Sequence, residues 1–132
     1  TDVTHLHGNI MYTRSSDGSG APKRNNEPLE HTCYLNAEGK QIFDRPDVVL
    51  FGEPIKDFEK AIDITVSADL FVIVGTTMSV QPAASLLLAV PFDCQVVYID
   101  PEPEVSEGIN LLVIQQTAEE GLRILDEELL PE

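Results

Sequence analysis

Four short runs of apolar residues set the hydrophobic pattern of this chain. They span residues 47–51, 70–74, 95–99 and 110–114, and glycine or an acidic or polar residue follows each of them. Strands that are buried on both faces of a parallel sheet have such continuous apolar runs. Pro46 disfavours a helix directly before the first run and suits the start of a strand. The pattern therefore predicts four parallel strands in one sheet.

Three further segments, 55–67, 82–90 and 118–130, have the composition and periodicity of helices. The residues predicted to face inward are Phe58 and Ile62 in the first helix and Leu122, Leu125 and Leu129 in the last. Strands that alternate with helices across short connections are typical of an α/β fold with an open parallel sheet. We therefore expect a Rossmann-like α/β architecture.

The segment 13–32 interrupts this pattern, because it is rich in glycine, proline, serine and asparagine and has no apolar period. A hairpin is predicted at Tyr34–Phe43, where two short strand-like runs flank Ala37-Glu38-Gly39. We interpret residues 12–44 as a small irregular excursion and not as a second domain. Residues 1–11 and 45–132 then form the Rossmann-like part.

Composition narrows the classes of partner. The 132 residues carry a formal net charge of −15 with only 8 Lys and Arg, which argues against nucleic acid and against an anionic membrane surface. Two distant cysteines, Cys33 and Cys94, give neither a disulfide framework nor a metal site, and they fit a reducing, cytoplasmic setting. No apolar run reaches transmembrane length. The chain does not begin with Met, and we expect it to be incomplete.

The stretch FVIVGTTMSVQPAASL, residues 71–86, joins a strand to a helix-prone segment. Gly75 permits a ribose or phosphate to approach the backbone, and Thr76 and Thr77 supply hydroxyl groups. Asp100 follows the next strand, where an acidic residue can bind a ribose hydroxyl. From these residues alone, an ordinary strand–turn–helix corner and a loop or capping aspartate remain open.

Two other places offer groups for acid–base chemistry. His7 precedes Gly8 and Asn9, and an imidazole can act as a general base near neutral pH. A metal pair with His5 is disfavoured, because no third ligand stands nearby. Glu53 directly follows an apolar run and Gly52, so it is either a candidate acid or base or a plain turn carboxylate.

With these residues identified, the chain resembles the C-terminal half of the catalytic domain of sirtuins, the NAD-dependent protein-lysine deacylases. Four stretches carry the resemblance in the family's order. They are H-L-H-G-N at 5–9, R-P-D-V-V-L-F-G-E-P at 45–54, A-D-L-F-V-I-V-G-T-T-M-S-V-Q-P-A-A-S-L at 68–86 and V-V-Y-I-D at 96–100.

The resemblance implies a role for each matched residue. In sirtuins the acyl-lysine oxygen attacks the nicotinamide ribose, nicotinamide leaves, and a histidine then deprotonates a ribose hydroxyl; His7 matches that histidine. The implied wall of the acyl-lysine tunnel is Val49, Phe51, Gly52 and Glu53 on one side and Val80 on the other. The implied NAD contacts are Gly75, Thr76, Thr77, Asp100 and, by a weak match, Thr117. The partner would be an acyl-lysine protein or peptide that adds as a strand.

Some features of the family are missing. Its phosphate loop, its Asp-Phe-Arg segment and its Asn-Ile-Asp motif do not occur in these residues, so we expect the chain alone not to turn over. The family's small module carries two C-x-x-C pairs around zinc, and only Cys33 stands between His7 and Arg45.

Three function classes therefore stay open at this point. The first is an NAD-dependent deacylase, which His7 and Phe51-Gly52-Glu53 favour. The second is a catalytically inactive, sirtuin-derived binding module, which the missing cysteines favour. The third is an unrelated nucleotide-binding α/β domain, which leaves H-G-N and F-G-E unexplained.

The cysteine count generates a prediction about zinc. Tetrahedral zinc needs four ligands, and Cys33, with or without His31, does not supply them. Elemental analysis of the purified protein should therefore find no stoichiometric zinc. A chelator should leave the melting temperature unchanged, since a structural zinc contributes directly to folding. One zinc per chain, or a clear loss of melting temperature with chelator, would contradict this.

Overall fold

The computed structural model describes residues 2–26, 33–77, 79, 81–105, 108 and 110–129. Residues 128 and 129 are described by their backbone only. The chain divides into two compact units, Thr1–Asp57 and Phe58–Glu132. The elements are β1 (Gly8–Ser15), β2 (Lys23–Arg24), β3 (Cys33–Leu35), β4 (Gln41–Val48), α1 (Phe58–Thr65), β5 (Leu70–Val74), a 3₁₀ helix (Ala83–Ala89), β6 (Gln95–Ile99), β7 (Leu111–Ile114), α2 (Ala118–Ile124) and a π-helical segment (Leu125–Leu129).

The first unit is built on an antiparallel sheet with the strand order β2-β1-β4-β3. The hairpin predicted at Tyr34–Phe43 is confirmed, because β3 pairs with β4 from Cys33↔Phe43 to Leu35↔Gln41. Its turn is held by the Asn36 side chain, whose Oδ1 accepts from the backbone N–H of Lys40 at 2.9 Å. The two strands therefore form for the local reason that the sequence indicated.

The strand predicted at 47–51 differs from the observed one in both position and pairing. Strand β4 ends at Val48 and pairs antiparallel with β1, and it takes no part in the parallel sheet. Pro46 lies inside β4, next to a register shift in β1 between Asn9 and Thr13. Proline cannot donate to a strand ladder, and a bulge is where a sheet tolerates this loss.

The second unit contains a parallel sheet in the order β5-β6-β7. The three predicted strands at 70–74, 95–99 and 110–114 are confirmed as parallel, with Leu70 opposite Gln95 and Val96 opposite Leu111. One face of this sheet supplies the buried residues Val97, Ile99 and Ile114, which cluster with Leu125. Apolar runs on neighbouring strands thus provide the core, as a parallel sheet requires.

The helices lie where they were predicted but are shorter. Helix α1 covers Phe58–Thr65 of the predicted 55–67, and the segment predicted at 82–90 forms the 3₁₀ helix Ala83–Ala89. No helix in the described part of the chain is long and apolar enough to cross a membrane.

The buried face of the last helix is shifted by one residue from the prediction. Leu125 is buried as expected, but Leu122 is 46% exposed, and Gly121 occupies the buried position. The Leu129 side chain lies outside the described residues. A Cβ on Gly121 would stand 2.2 Å from Cγ2 of Ile99, so the missing side chain allows α2 to approach β6. Hydrophobicity alone predicts that Leu122 faces inward, but the close approach of Gly121 to Ile99 determines which face of the helix is buried.

The contact of Gly121 with Ile99 generates a stability prediction. In Gly121→Ala, overpacking against Ile99 should cost about 1–3 kcal/mol. Better helix propensity offsets this by only about 1 kcal/mol. Chemical denaturation should therefore give a lower free energy of unfolding, whereas the exposed control Glu119→Ala should change it by less than about 0.5 kcal/mol. A stabilised Gly121→Ala protein would show that propensity outweighs packing here.

Candidate active site

His7 is held by its backbone, and its side chain is exposed. It lies in the turn before β1, where its carbonyl oxygen accepts from the N–H of Val49 at 2.9 Å. The preceding carbonyl, that of Leu6, accepts from the N–H of Lys56 at 3.0 Å. The segment that follows β4 thus fixes the chain on which His7 stands. This leaves the imidazole on a supported backbone and accessible to solvent.

Gly8 makes this arrangement possible. Its φ is +82°, a backbone conformation that favours glycine, and it pairs with Val48 at the start of the β1–β4 ladder. A Cβ at this position would lie 2.0 Å from the carbonyl oxygen of Asp47. No side chain fits in that space. The glycine after His7 is therefore required by the close pairing of the two strands.

The residues after β4 form a tight turn that presents an apolar side chain to solvent. The N–H of Glu53 donates to the carbonyl oxygen of Leu50 at 3.0 Å, and Gly52 has a φ of +86°. Phe51, at the tip, is fully exposed, and Leu50 is more than half exposed. The turn thus offers an apolar surface that this unit does not bury.

Glu53 is held by cations and by a backbone donor. Its Oε1 and Oε2 accept from both terminal nitrogens of Arg45, with the Nη2 contact at 3.0 Å. Oε2 also accepts from Arg14 Nη2 at 3.0 Å and from the N–H of Leu50 at 3.0 Å. The bonds from Arg45 and Leu50, helped by the nearby charges, lower the pKa of Glu53 to about 2. So weak a base fits the turn-carboxylate alternative and not proton transfer near neutral pH.

A second carboxylate, Asp47, lies in the same unit and is buried. Its Oδ1 accepts from Lys56 Nζ and stands 3.6 Å from Arg14 Nε, a buried nitrogen that has no hydrogen-bond partner among the residues that the structure describes. Arg14 therefore reaches both carboxylates. We call Arg14, Arg45, Asp47, Glu53 and Lys56 the ion network of the first unit.

In the second unit, Gly75 is the first residue after β5 and has a φ of +60°. Its N–H donates to the carbonyl oxygen of Ile99 at 2.9 Å. Apart from Gly75 and its two chain neighbours, no heavy atom of the described residues lies within 4 Å of the place where a Cβ would be. Thr76 and Thr77 follow it and are exposed. The turn therefore combines an open backbone approach with neighbouring hydroxyl groups.

Tyr98 supports this turn from the next strand. Its hydroxyl donates to the carbonyl oxygen of Thr76 at 2.8 Å, and burial raises the pKa of Tyr98, which keeps the donor proton in place. Tyr98 and Thr77 also line a cavity of about 500 Å³ whose walls are mainly apolar. Thr77 thus stands between an exposed turn and an apolar cavity.

Asp100 and Thr117 both make local contacts. Asp100 follows β6, and its Oδ1 accepts from the N–H of Glu102 at 2.9 Å, which is the geometry of a turn aspartate. Thr117 caps α2 through its side chain, which accepts from the N–H of Glu120. Val80, the remaining predicted contact, lies outside the described residues.

The predicted residues fall into two groups. His7, Val49, Phe51, Gly52 and Glu53 belong to the first unit, where the backbone bond from Val49 to His7 joins them. Gly75, Thr76, Thr77 and Asp100 stand at the carboxyl ends of β5 and β6, two adjacent parallel strands of the second unit. Ligands of parallel α/β sheets bind at such ends.

The cations of the ion network were missed by sequence reasoning. The chain has 8 Lys and Arg in total, and three of them converge on two carboxylates. The scarcity of cations in an acidic chain is a weak signal that each one has a partner. Which carboxylate each one meets depends on the pairing of β1 with β4, and local sequence does not carry that information.

Metal ligands do not gather in the part of the chain that the structure describes. Among those residues, no three of His, Cys, Asp and Glu are placed to hold an ion. Cys33 is exposed and Cys94 is buried, and neither forms a disulfide. His31, the other ligand considered, lies outside the described residues. The expectation about zinc stays a prediction.

Comparison with known proteins gives one consistent result. The sequence model described as the Sir2 family matches residues 1–82. An NAD-dependent protein deacylase of Bacteroides thetaiotaomicron is 35% identical over 135 aligned positions, which cover 98% of this chain and 57% of the relative. A protein of the same name from Mycobacterium tuberculosis is 34% identical and is 56% covered. The chain therefore spans a little over half the length of these curated relatives.

Solved structures agree in fold. A crystal structure of a Sir2 homolog–NAD complex superposes with a TM-score of 0.72 at 24% identity, covering 96% of this chain and 52% of that one. A structure of Sir2Tm bound to a propionylated peptide gives 0.67 at 22% identity, covering 92% and 54%. At this identity the likeness establishes the Rossmann-like α/β fold class predicted from the sequence.

The ion pairs of Glu53 generate a prediction about pH. Because its pKa in the folded protein lies below the ordinary value of 4.5, the carboxylate stabilises the folded state fully above that value. This contribution should disappear as the pH falls from about 4.5 to about 2. The melting temperature of Glu53→Gln should therefore lie below that of the wild type at neutral pH, and the two should converge over this window.

The control is Glu38→Gln, at an exposed position of the hairpin turn in the same unit. It should change stability by less than about 0.5 kcal/mol at neutral pH. A gap between wild type and Glu53→Gln that stays constant down to pH 2 would argue that the carboxylate is not held by charge.

Proposed function

The chain belongs to the Sir2 family, and we propose that it is the His7-bearing part of an NAD-dependent protein-lysine deacylase. The observation that carries this proposal is the backbone bond between His7 and Val49, which joins the H-G-N segment to the F-G-E turn. The deacylase names of the relatives from Bacteroides thetaiotaomicron and Mycobacterium tuberculosis support it. The chemistry is the transfer of an acyl group from lysine to ADP-ribose with release of nicotinamide.

His7 is the proposed general base. Its side chain is exposed while its backbone is bonded to the segment after β4, so the imidazole has both access and support. In its neutral form it would accept the proton of a ribose hydroxyl. That transfer turns the hydroxyl into a nucleophile, a step for which a positioned base is worth about 10²–10⁴ in rate.

The proposed acyl-lysine contacts in the first unit are Val49, Phe51, Gly52 and Glu53; the family resemblance adds Val80, which lies outside the described residues. Phe51 gives the turn an exposed apolar tip, and the strand ladder of β4 ends just before it, at Val48. Such a surface suits an extended peptide that carries an acylated side chain. One similar structure is described as bound to a propionylated peptide and another as a Sir2–p53 peptide complex with NAD. Glu53 would shape this surface without taking up a proton.

The proposed NAD contacts are Gly75, Thr76, Thr77, Asp100 and Thr117. The open space at Gly75 and the two exposed threonines fit a ribose or phosphate at the end of β5. When bound, NAD supplies the ribose carbon that receives the acyl oxygen. The fit is weaker at Asp100 and Thr117, because each side chain already accepts a backbone N–H.

The proposal also covers the division of the chain and its cellular setting. Residues 12–44 correspond to the small module of the family, and residues 1–11 and 45–132 to its Rossmann-like part. A cytoplasmic setting, with no nucleic acid or membrane as partner, agrees with the charge of −15 and the two unpaired cysteines.

The role of His7 generates a kinetic prediction. With an acyl-lysine peptide and NAD, the full-length protein should release nicotinamide and form acyl-ADP-ribose. His7→Ala should lower acyl-ADP-ribose formation by about 10²–10⁴, the usual cost of losing a general base. Exchange of free nicotinamide into NAD should survive better, because the base acts after nicotinamide has left.

The matched control is His5→Ala, which removes the other imidazole of the H-L-H-G-N stretch and should keep most of the activity. Full deacylation by His7→Ala would overturn the proposed mechanism. A wild-type protein that releases no nicotinamide with any acyl-lysine peptide would favour the inactive binding module.

A further inference from the structure

We propose that Arg45 and Glu53 act together as positioning residues that hold the turn Leu50–Glu53 in the shape that receives the acyl-lysine peptide. This inference rests on the proposed function for the identity of the peptide. We call Arg45 and Glu53 the clamp, and its bonds all lie within the first unit.

The two ends of the turn are joined twice. The N–H of Glu53 donates to the carbonyl oxygen of Leu50 at 3.0 Å, and the N–H of Leu50 donates to Glu53 Oε2 at 3.0 Å. The second bond uses the side chain, so the shape of the turn depends on where the carboxylate stands. Gly52, with its positive φ, permits the sharp reversal but does not by itself fix it.

Arg45 fixes the carboxylate. Its planar guanidinium donates to both oxygens of Glu53, and its Nη2 also donates to the carbonyl oxygen of Val48 at 2.8 Å. One side chain thus ties the last residue of β4 to the last residue of the turn. A guanidinium can make these bonds at once because its donors lie in a rigid fork, and an ammonium group cannot reproduce that geometry.

The clamp is anchored to the rest of the sheet. Arg14, on β1, donates to Glu53 at 3.0 Å and lies 3.6 Å from Asp47, the residue beside Val48. Asp47 in turn accepts from the side-chain ammonium of Lys56, and the backbone N–H of Lys56 donates to the carbonyl oxygen of Leu6, next to His7. Lys56 therefore connects the ion network to the backbone that carries the proposed base.

Exposure explains why such a clamp is needed. Phe51 is fully exposed and Leu50 more than half exposed, so packing within this unit contributes little to the shape of the turn. An apolar loop with no packing partners orders only at a cost in conformational entropy. Ionic and backbone bonds at its base replace that packing and lower the ordering cost when a peptide binds.

The test is steady-state kinetics of the full-length protein with an acyl-lysine peptide and NAD. Glu53→Gln keeps the size of the side chain and removes its charge; Arg45→Lys keeps the charge and removes the fork. Each should raise the peptide KM by about tenfold, since charge-assisted hydrogen bonds are lost, and change the NAD KM by less than about twofold. The double variant should resemble either single variant, because the two residues act as one unit.

The matched control is Glu120→Gln, which breaks an exposed pair with Arg123 in the second unit. It should leave both KM values unchanged. A merely structural role for Arg45 and Glu53 would lower the melting temperature and the active fraction but leave the peptide KM as in the wild type. An unchanged peptide KM in both single variants would overturn the proposal.

A readout without turnover separates this inference from the proposed function. Amide hydrogen exchange at Leu50 should be faster in Glu53→Ala, which removes the acceptor of the Leu50 N–H, than in the wild type, with no change in β5, β6 and β7. Equal exchange at Leu50 would overturn the clamp even if the wild type is an active deacylase. If Leu50 exchanges faster in the variant but the wild type releases no nicotinamide, the clamp is supported and the deacylase is rejected.

Discussion

The close pairing of β1 with β4 is the constraint on which the first unit depends. It begins at Gly8 and Val48, where the carbonyl of Asp47 occupies the space that any side chain on Gly8 would need. The places of the candidate site residues in this unit follow from the contact. His7 stands one residue before Gly8, and the turn Leu50–Glu53 begins two residues after Val48. The scarce cations of the chain reach their carboxylates because Arg14 lies on one of these strands and Arg45 on the other.

The second unit depends on a different constraint, which is the burial of continuous apolar strands in a parallel sheet. Its core is an apolar cluster, in which Val97, Ile99 and Ile114 pack with Leu125. The polar groups stand at the strand ends, where Gly75 and Asp100 interrupt the apolar runs. The contrast between the units is physical. One fixes its candidate site by ion pairs and a glycine contact, and the other by the point at which buried strands end.

This contrast explains what the sequence could and could not predict. Strands β5, β6 and β7 were predicted correctly, because continuous apolar runs carry their own signal. The hairpin of β3 and β4 was likewise local. The ion network was not predicted, because its partners are separated by up to 39 positions and meet only through the β1–β4 ladder. The phase of α2 was missed because a glycine against Ile99, not a leucine, determines which face is buried.

The misassigned strand at 47–51 is the most informative of these differences. Val49, Leu50 and Phe51 have the apolar character of a buried strand, yet the ladder stops at Val48 and Phe51 is left in solvent. The local pattern favours burial at these positions, and the fold leaves Leu50 and Phe51 exposed, so their apolar surface is available for contact with another molecule. A clamp of Glu53 and Arg45 at the base of the turn is the arrangement that such an exposed apolar tip requires, because without packing only its end bonds define its shape. The error in the sequence prediction thus falls on the residues to which the family resemblance assigns a substrate contact, and its physical cause is the end of the β1–β4 ladder at Val48.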